Sequence, residues 1–297
     1  MRSCPICQTS AKDALIFQKE NINKNRISKF SYASRKEPEY MCHQLVSCRE
    51  CDLVYASSPP EQDELAQAYH VAAYDSSSEA SDAAKSYIKA MQPILGKLKH
   101  KNKVLEIGSG TGVFLELLQD ECGFTELIGV EPSAAAIASA PVHRRGWLRE
   151  GIFNENDFEP ASFDLICCFM TMEHVHDPME TALAASRLLR PGGAFVTVTH
   201  DYRSLVNRIM GKKSPIIDIE HMQLFSKASI CELFKRCNFN NISAHPFINH
   251  YSVGYWTRLA PFPKIVKHTL RRTVAYTGMD KIKIGMNVGN TITTGFR

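Results

Sequence analysis

The chain has 297 residues, of which 44% are apolar and 22% charged, enough to bury one full α/β core with smaller attachments. No apolar stretch approaches the roughly 20 residues that cross a bilayer, and the start at Cys4 and Pro5 lacks the charged lead and apolar run of an export signal. The expected location is therefore the cytoplasm, where ten cysteines do not read as a secreted disulfide framework.

Four of those cysteines form two C-x-x-C pairs, Cys4 with Cys7 and Cys48 with Cys51. Each two-residue spacing lets both thiolates reach one ion, and four thiolates suit a closed tetrahedral zinc site, as in a zinc ribbon. The pairs are further apart than the roughly 15 to 20 residues usual for such sites, so one or two hairpins must lie between them. Ala14 to Phe17 and His43 to Val46 are the candidate strands, and Cys42 and His43 are spare ligands. Redox-active dithiols are the alternative, although paired units point to metal more than a single one does. With four protein ligands and no open position the zinc would be structural, placing catalysis elsewhere. Cys122, Cys167, Cys168, Cys231 and Cys237 read as buried thiols.

Pro59-Pro60 ends this first module, 1–58, and opens a helical linker or lid over 59–100. Residues 61–74 carry apolar side chains at helical spacing before the Ser76-Ser77-Ser78 break, a candidate hinge. Asp82 reads as the N-cap of a helix to about Leu98, with Tyr87, Met91, Ile94 and Leu98 on one face. The remaining domain, 101–297, alternates strands and helices: 103–107, 113–120, 127–131, 133–140, 147–150, 163–170, 179–189 and 194–200. That alternation predicts an α/β fold with a doubly wound, mostly parallel, seven-stranded Rossmann-like sheet. A helix at 227–237 and apolar runs near 242–248 and 284–294 would add a last helix and an antiparallel strand pair.

Val104-Leu105-Glu106-Ile107-Gly108-Ser109-Gly110-Thr111-Gly112 reads as a buried strand entering a glycine loop that opens a helix, a nucleotide-type cofactor site. The dinucleotide fingerprint requires a sixth-position glycine where this chain has Val113, which weakens a pyrophosphate reading. Leu127-Ile128-Gly129-Val130 ends in Glu131, placed to accept hydrogen bonds from both hydroxyls of an unphosphorylated ribose.

Phe163-Asp164-Leu165-Ile166 then forms a further strand, followed by Glu173-His174-Val175-His176-Asp177-Pro178 and by Leu188-Leu189-Arg190-Pro191-Gly192-Gly193-Ala194-Phe195. Taken with the glycine loop, these ordered motifs resemble the class I S-adenosylmethionine-dependent methyltransferases over most of residues 100–250. The resemblance implies S-adenosylmethionine as cofactor, held by Glu106, Gly108, Ser109, Gly110, Gly112 and Glu131. By position, Ile152 and Phe153 after Gly151 would cover the adenine with Met170 opposite, and backbone groups or Asn154 would stand in for the acidic residue that many relatives carry at Ile152. Tyr69 and Tyr74 lie in the lid, where they would close over the methionine end of the cofactor or simply pack, as tyrosines of amphipathic helices commonly do.

The sulfonium donor already carries an electrophilic methyl, so the enzyme must align a nucleophile and remove its proton. His174 follows the fourth strand at the cofactor edge and is assigned that chemistry. Asp177-Pro178-Met179-Glu180 reads as N-cap, N1 proline and capping-box glutamate. The whole chain, ribbon included, is similar to methyltransferases of sugar modification and surface-polysaccharide synthesis, among them sugar C-methyltransferases with a Glu-His pair in the loop after the fifth strand. That similarity implies that Glu220 and His221 act with His174. Asp218 stands where those enzymes have a tyrosine, which argues against carbon as the acceptor atom.

The net charge of +4 hides an asymmetry: residues 233–297 carry ten Lys or Arg and one acid, Asp280, leaving −5 for the remainder. The leading expectation is a small-molecule methyltransferase acting on a sugar, nucleotide- or lipid-linked, with the basic tail attracting phosphates or touching a membrane surface. An RNA methyltransferase is the first alternative. The basic segment lacks dense aromatic interleaving, and the fourth strand lacks the Asn/Asp-Pro-Pro-aromatic motif, so nucleic acid is not the expected partner. A quinone-pathway O-methyltransferase is the second, since Glu173-His174-Val175 before Asp177-Pro178 also resembles that group. A non-enzymatic adaptor is disfavoured by the intact glycines and Glu131.

Overall fold

The computed structural model describes residues 1–33, 39–73, 77–260 and 264–297. Between the two cysteine pairs the chain folds into strands β1 (Leu15–Gln18) and β2 (Leu45–Ser47), and β3 (Val54–Ala56) follows the second pair. The second pair forms the β2–β3 turn, with the Cys48 amide donating to the Leu53 carbonyl at 2.8 Å. Helices α1 (Gln62–His70) and α2 (Ser77–Leu95) follow. Helix α2 begins five residues before the expected Asp82, because the serines read as a break open the helix, and Glu79 in the first turn complements its dipole. Asp82 instead lies inside the helix and pairs with Lys283 Nζ at 2.5 Å. Its buried face is Tyr87, Met91 and Leu95, with Leu98 beyond its end, so Leu95 takes the place expected for Ile94. Tyr74 and Ser76 fall outside the described residues.

The main sheet is built from β4 (Lys103–Ile107), α3 (Val113–Cys122), β5 (Glu126–Glu131), α4 (Ala134–Ser139), α5 (Val142–Arg145), β6 (Leu148–Glu150), β7 (Phe163–Phe169), α6 (Pro178–Leu188) and β8 (Leu189–His200). The central strand β7, Phe-Asp-Leu-Ile-Cys-Cys-Phe, is buried at every residue, as a strand covered on both faces must be. Helix α6 starts as its sequence dictates: Asp177 Oδ1 accepts from the amides of Met179 (2.8 Å) and Glu180 (3.0 Å), and Pro178 occupies the first turn.

Helix α7 (Leu205–Met210), strand β9 (Gln223–Leu224), helix α8 (Lys227–Arg236), strands β10 (Asn240–Pro246) and β11 (Asn249–Ser252), helices α9 (Val253–Leu259) and α10 (Lys264–Tyr276), and strands β12 (Lys283–Met286) and β13 (Asn290–Phe296) complete the chain. The seven-stranded order is β10-β13-β8-β7-β4-β5-β6. Four neighbouring pairs are parallel, and β13 is antiparallel to both β10 and β8, so the sheet is mixed. The run expected as one strand over 284–294 is split at Gly289, whose φ of 85° turns the chain: its first part pairs with β11 in a separate two-stranded sheet and only the second joins the main sheet. No helix among the described residues is long and apolar enough to cross a membrane.

Strand β9 is only two residues long, yet it joins the amino-terminal strands to the catalytic body. It extends them as β1-β2-β3-β9, with Val54 opposite Leu224 and Tyr55 opposite Gln223. Cys4, Cys48, Cys51, Leu53 and Tyr55 share one apolar cluster with Phe195, Ile230 and Phe234 of the main fold. The boundary expected at residue 58 is therefore bridged by backbone pairing and by common core.

Candidate active site

A cavity of about 840 Å³ opens at the carboxyl ends of β4, β5, β7 and β8, where the strand order reverses about β4. Ligands of open α/β sheets bind at such a switch point. One end is the glycine loop. Gly108 and Ser109 donate their amides to the Val130 carbonyl at 2.9 and 3.2 Å. Gly110 (φ 54°) has no protein atom within 4 Å of where a Cβ would stand, so this left-handed backbone leaves room for a ligand to approach. Gly112 differs. It is the left-handed N-cap of α3, and a Cβ there would meet Leu148 Cδ2 at 3.2 Å, so it serves packing and does not line the cavity. Ser109 lines it, but its hydroxyl lies over Gly129, where a Cβ would come within 2.4 Å of Oγ.

Glu131, at the end of β5, faces the cavity and also clamps the loop: Oε2 accepts from the Gly110 amide (2.7 Å) and Oε1 from Ser133 (2.9 Å). Burial pushes this carboxyl above its usual range, opposed by those two N–H groups. Each oxygen keeps acceptor capacity, so ribose hydroxyls can still bond to it. Glu106, Ile152, Phe153 and Met170 also line the cavity. Phe153 stacks on Phe158 with centroids 6.2 Å apart. Asn154 Oδ1 accepts from the Asn156 amide at 3.0 Å and keeps a second lone pair, and Asn154, Glu155, Asn156 and Asp157 are the polar residues lining this end.

The other end gathers residues distant in sequence. His174 and His221 have ring centroids 4.8 Å apart, and His174 Nδ1 lies 3.7 Å from Glu220 Oε2. His221 Nδ1 is 2.7 Å from the Ile216 carbonyl. A carbonyl only accepts, so Nδ1 carries the hydrogen and the neutral ring presents its lone pair at Nε2. Burial, with His200 close by, holds this imidazole below the usual 6.5. Tyr69 was expected only to pack or to cover the cofactor. Its hydroxyl instead lies 2.9 Å from His174 Nδ1 and donates to the Glu220 carbonyl at 3.2 Å. Burial, then Glu220, push the phenol well above 10, so it stays protonated. The one phenol thus ties the His174 ring to the Glu220 backbone.

Backbone and side-chain bonds hold the His174 and His221 segments together. Met222 and Gln223 donate their amides to the Glu173 carbonyl at 2.8 and 3.3 Å. Buried Gln223 donates Nε2 to the carbonyls of Met172 (2.6 Å) and Val175 (2.8 Å), and its Oε1 accepts from Arg2 at 3.3 Å. Arg2 also donates to the His176 carbonyl at 2.7 Å. Glu173 Oε1 accepts from the His200 amide at 2.6 Å and is a supporting group. Asp218, in the position of the expected tyrosine, is buried and accepts from the Glu39 amide at 2.8 Å.

The four amino-terminal sulfurs lie within 4.8 Å of one another, with Cys4–Cys51 and Cys7–Cys48 each at 3.4 Å. Backbone N–H groups of Ile6 and Cys7 approach Cys4, and those of Glu50 and Cys51 approach Cys48, the geometry of paired metal knuckles. Tetrahedral zinc with bonds of about 2.3 Å requires sulfurs about 3.8 Å apart, so the donor set can hold that ion.

A family model described as a methyltransferase domain matches residues 66–244, and the chain belongs to that family. Curated relatives include a ubiquinone biosynthesis O-methyltransferase of Thiobacillus denitrificans, 26% identical over 131 residues covering 42% of this chain and 54% of that protein. The corresponding Vibrio atlanticus protein is 26% identical over 117 residues, covering 37% and 48%. The chain thus spans about half the length of these relatives. Among solved structures, a SAM-dependent methyltransferase from Archaeoglobus fulgidus is 16% identical with a TM-score of 0.48, covering 72% of this chain and 94% of that one.

Replacing Glu131 by Ala is expected to weaken S-adenosylmethionine binding by about 10- to 100-fold, the loss of hydrogen bonds to a charged acceptor. Calorimetry on the purified chain measures it, and an unchanged affinity removes the ribose assignment.

Proposed function

We propose that this methyltransferase acts on a hydroxyl of a sugar, with the cofactor along the glycine loop, Glu131 and Met170, and the acceptor between His174, Glu220 and His221. The observation that carries the reading is the locked tautomer of His221: a buried, neutral imidazole whose Nδ1 is committed to a backbone carbonyl and whose Nε2 is a ready proton acceptor. An alcohol is too weak an acid to react without such a base.

When bound, S-adenosylmethionine supplies an electrophilic methyl group. The chain's own residues do the rest. His221 takes the hydroxyl proton at Nε2, Glu220 supplies compensating negative charge, and Tyr69 fixes the His174 ring so that its Nε2 shares the acceptor site. The proton leaves through the imidazole pair, whose rings are in contact. The absence of a phenol at Asp218 favours oxygen over carbon as the acceptor atom.

Among the described residues the cavity is lined by eight carboxylates, four histidines and no Lys or Arg. A phosphate inside it would be repelled, so any nucleotide or lipid carrier of the sugar keeps its phosphates outside. The same lining opposes an RNA backbone. A second reading, methylation of a quinone-type phenol, is favoured by the Tyr87, Tyr251, Tyr255 and Trp256 wall and by the names of the curated relatives. The Cys4, Cys7, Cys48 and Cys51 site holds structural zinc in this account.

Because His221 must be unprotonated and its pKa lies below 6.5, activity is retained as pH falls to that value and lost only beneath it. The acid limb of kcat/KM should therefore centre below 6.5, and His221→Asn should lower kcat by about 100- to 10,000-fold with cofactor affinity intact. An acid limb centred at or above 6.5, or an unchanged kcat, contradicts the base assignment. Elemental analysis should find zinc in the parent chain and not in Cys48→Ser; equal zinc in both, or none in the parent, removes the metal site. Incubation with labelled cofactor and panels of sugars, phenols and RNA should label a sugar hydroxyl, whereas label confined to phenols selects the second reading and label confined to RNA overturns both.

A further inference from the structure

The small unit inserted between β10 and β13 has two different sides. Its β11 and α9 give Tyr251, Tyr255 and Trp256 to the cavity wall. Its outer side is α10, the following one-turn helix Met279–Lys281, and β12. Residues 264–286 contain six Lys or Arg against one acid, Asp280. Lys283 is held by Asp82 and Lys267 by the Arg258 carbonyl. Arg271, Arg272 and Lys281 are exposed and make no side-chain bond among the described residues.

Large apolar side chains are interleaved with these cations. Tyr276 is 93% exposed and Ile282 50%, and Val266, Met279, Ile284 and Met286 are also exposed. Within α10 only Val274 is buried among the described side chains. Cations alone would make a solvated face or a polyanion site. Six exposed apolar groups among them match an amphipathic surface that lies in a headgroup layer, and the near absence of acids selects an anionic one. Stacking of nucleic acid bases needs several aromatic platforms, and this face offers one tyrosine.

We propose that the face formed by residues 264–286 binds an anionic phospholipid surface. Arg271, Arg272 and Lys281 meet lipid phosphates while Tyr276, Ile282 and Ile284 enter the headgroup layer. The catalytic cavity then lies behind the lipid-bound unit, with Tyr251, Tyr255 and Trp256 as the wall between them. This assignment is independent of the acceptor's identity.

The test is cosedimentation of the full chain with vesicles of phosphatidylcholine alone or mixed with phosphatidylglycerol. Binding is expected to the mixed vesicles at low salt and not to the neutral ones. Arg271→Gln/Arg272→Gln/Lys281→Gln should weaken it by about 100-fold, at roughly fivefold per charge. Ile282→Ser/Ile284→Ser should weaken it by about tenfold or more. Neither variant replaces a cavity-lining residue, and the bond from Trp256 to Ile284 is to its backbone carbonyl, so calorimetric binding of S-adenosylmethionine should be retained in both and reports that they fold. No sedimentation with the mixed vesicles, equal binding to neutral ones, or full binding by the charge variant overturns the proposal. So does an isoleucine variant that binds mixed vesicles normally and is displaced by single-stranded RNA, which would mark a polyanion site instead.

Discussion

The acceptor end of the cavity depends on how three residues, Met222, Gln223 and Leu224, are held. Two residues of strand have no stability of their own, and their backbone groups must find partners in a buried setting. On one side they pair with β3, where the Ala56 amide donates to the Met222 carbonyl at 2.8 Å. On the other they meet the Glu173 carbonyl, next to His174. The Gln223 amide closes the gap by bonding the carbonyls of Met172 and Val175, either of which left unpaired would cost about 1–3 kcal/mol. The 4.8 Å meeting of the His174 and His221 rings follows from this junction. A module that would otherwise be a stabilising appendage thus becomes part of the frame of this cavity. Asp52, just after the second knuckle, adds a further tie through the Tyr202 hydroxyl at 2.7 Å and an ion pair with Arg203.

The fold was legible wherever burial on both faces writes a continuous apolar run, as in β4 and β7, or where local chemistry leaves one choice, as at the Asp177-Pro178 helix start. It was less legible where one short run serves two structures. Lys283–Met286 and Asn290–Phe296 read as a single segment until Gly289 turns the chain between them. Ser77 and Ser78, which open α2, illustrate the same limit, since Ser is at home in a turn and in a first helical turn alike.

Within the site, the glycine loop, Glu131, His174, Glu220 and His221 all carry a local signature and all line the cavity. Gly112 carries the same signature and does not, because spacing alone cannot separate a glycine needed for a ligand from one needed beside Leu148. Gln223 carried no signature at all, and Tyr69 was legible only as a lid residue. Each acts through a partner 105 or 48 to 51 positions away, a distance only the tertiary fold closes. The charge map was legible in part: the basic tail is plain in the sequence, whereas the acid-lined cavity draws its carboxylates from segments spread between Glu106 and Glu220.

The central claim is that the cysteine module holds the acceptor loop, so its metal should be felt at β9. Amide hydrogen exchange of the intact chain, before and after treatment with a zinc chelator, measures this most directly. The account predicts that the amides of Ala56, Met222 and Gln223 lose protection together with Cys48, while those of Gly108 and Gly110 keep theirs. Loosening confined to residues 1–58, with Met222 and Gln223 as protected as before, would contradict it.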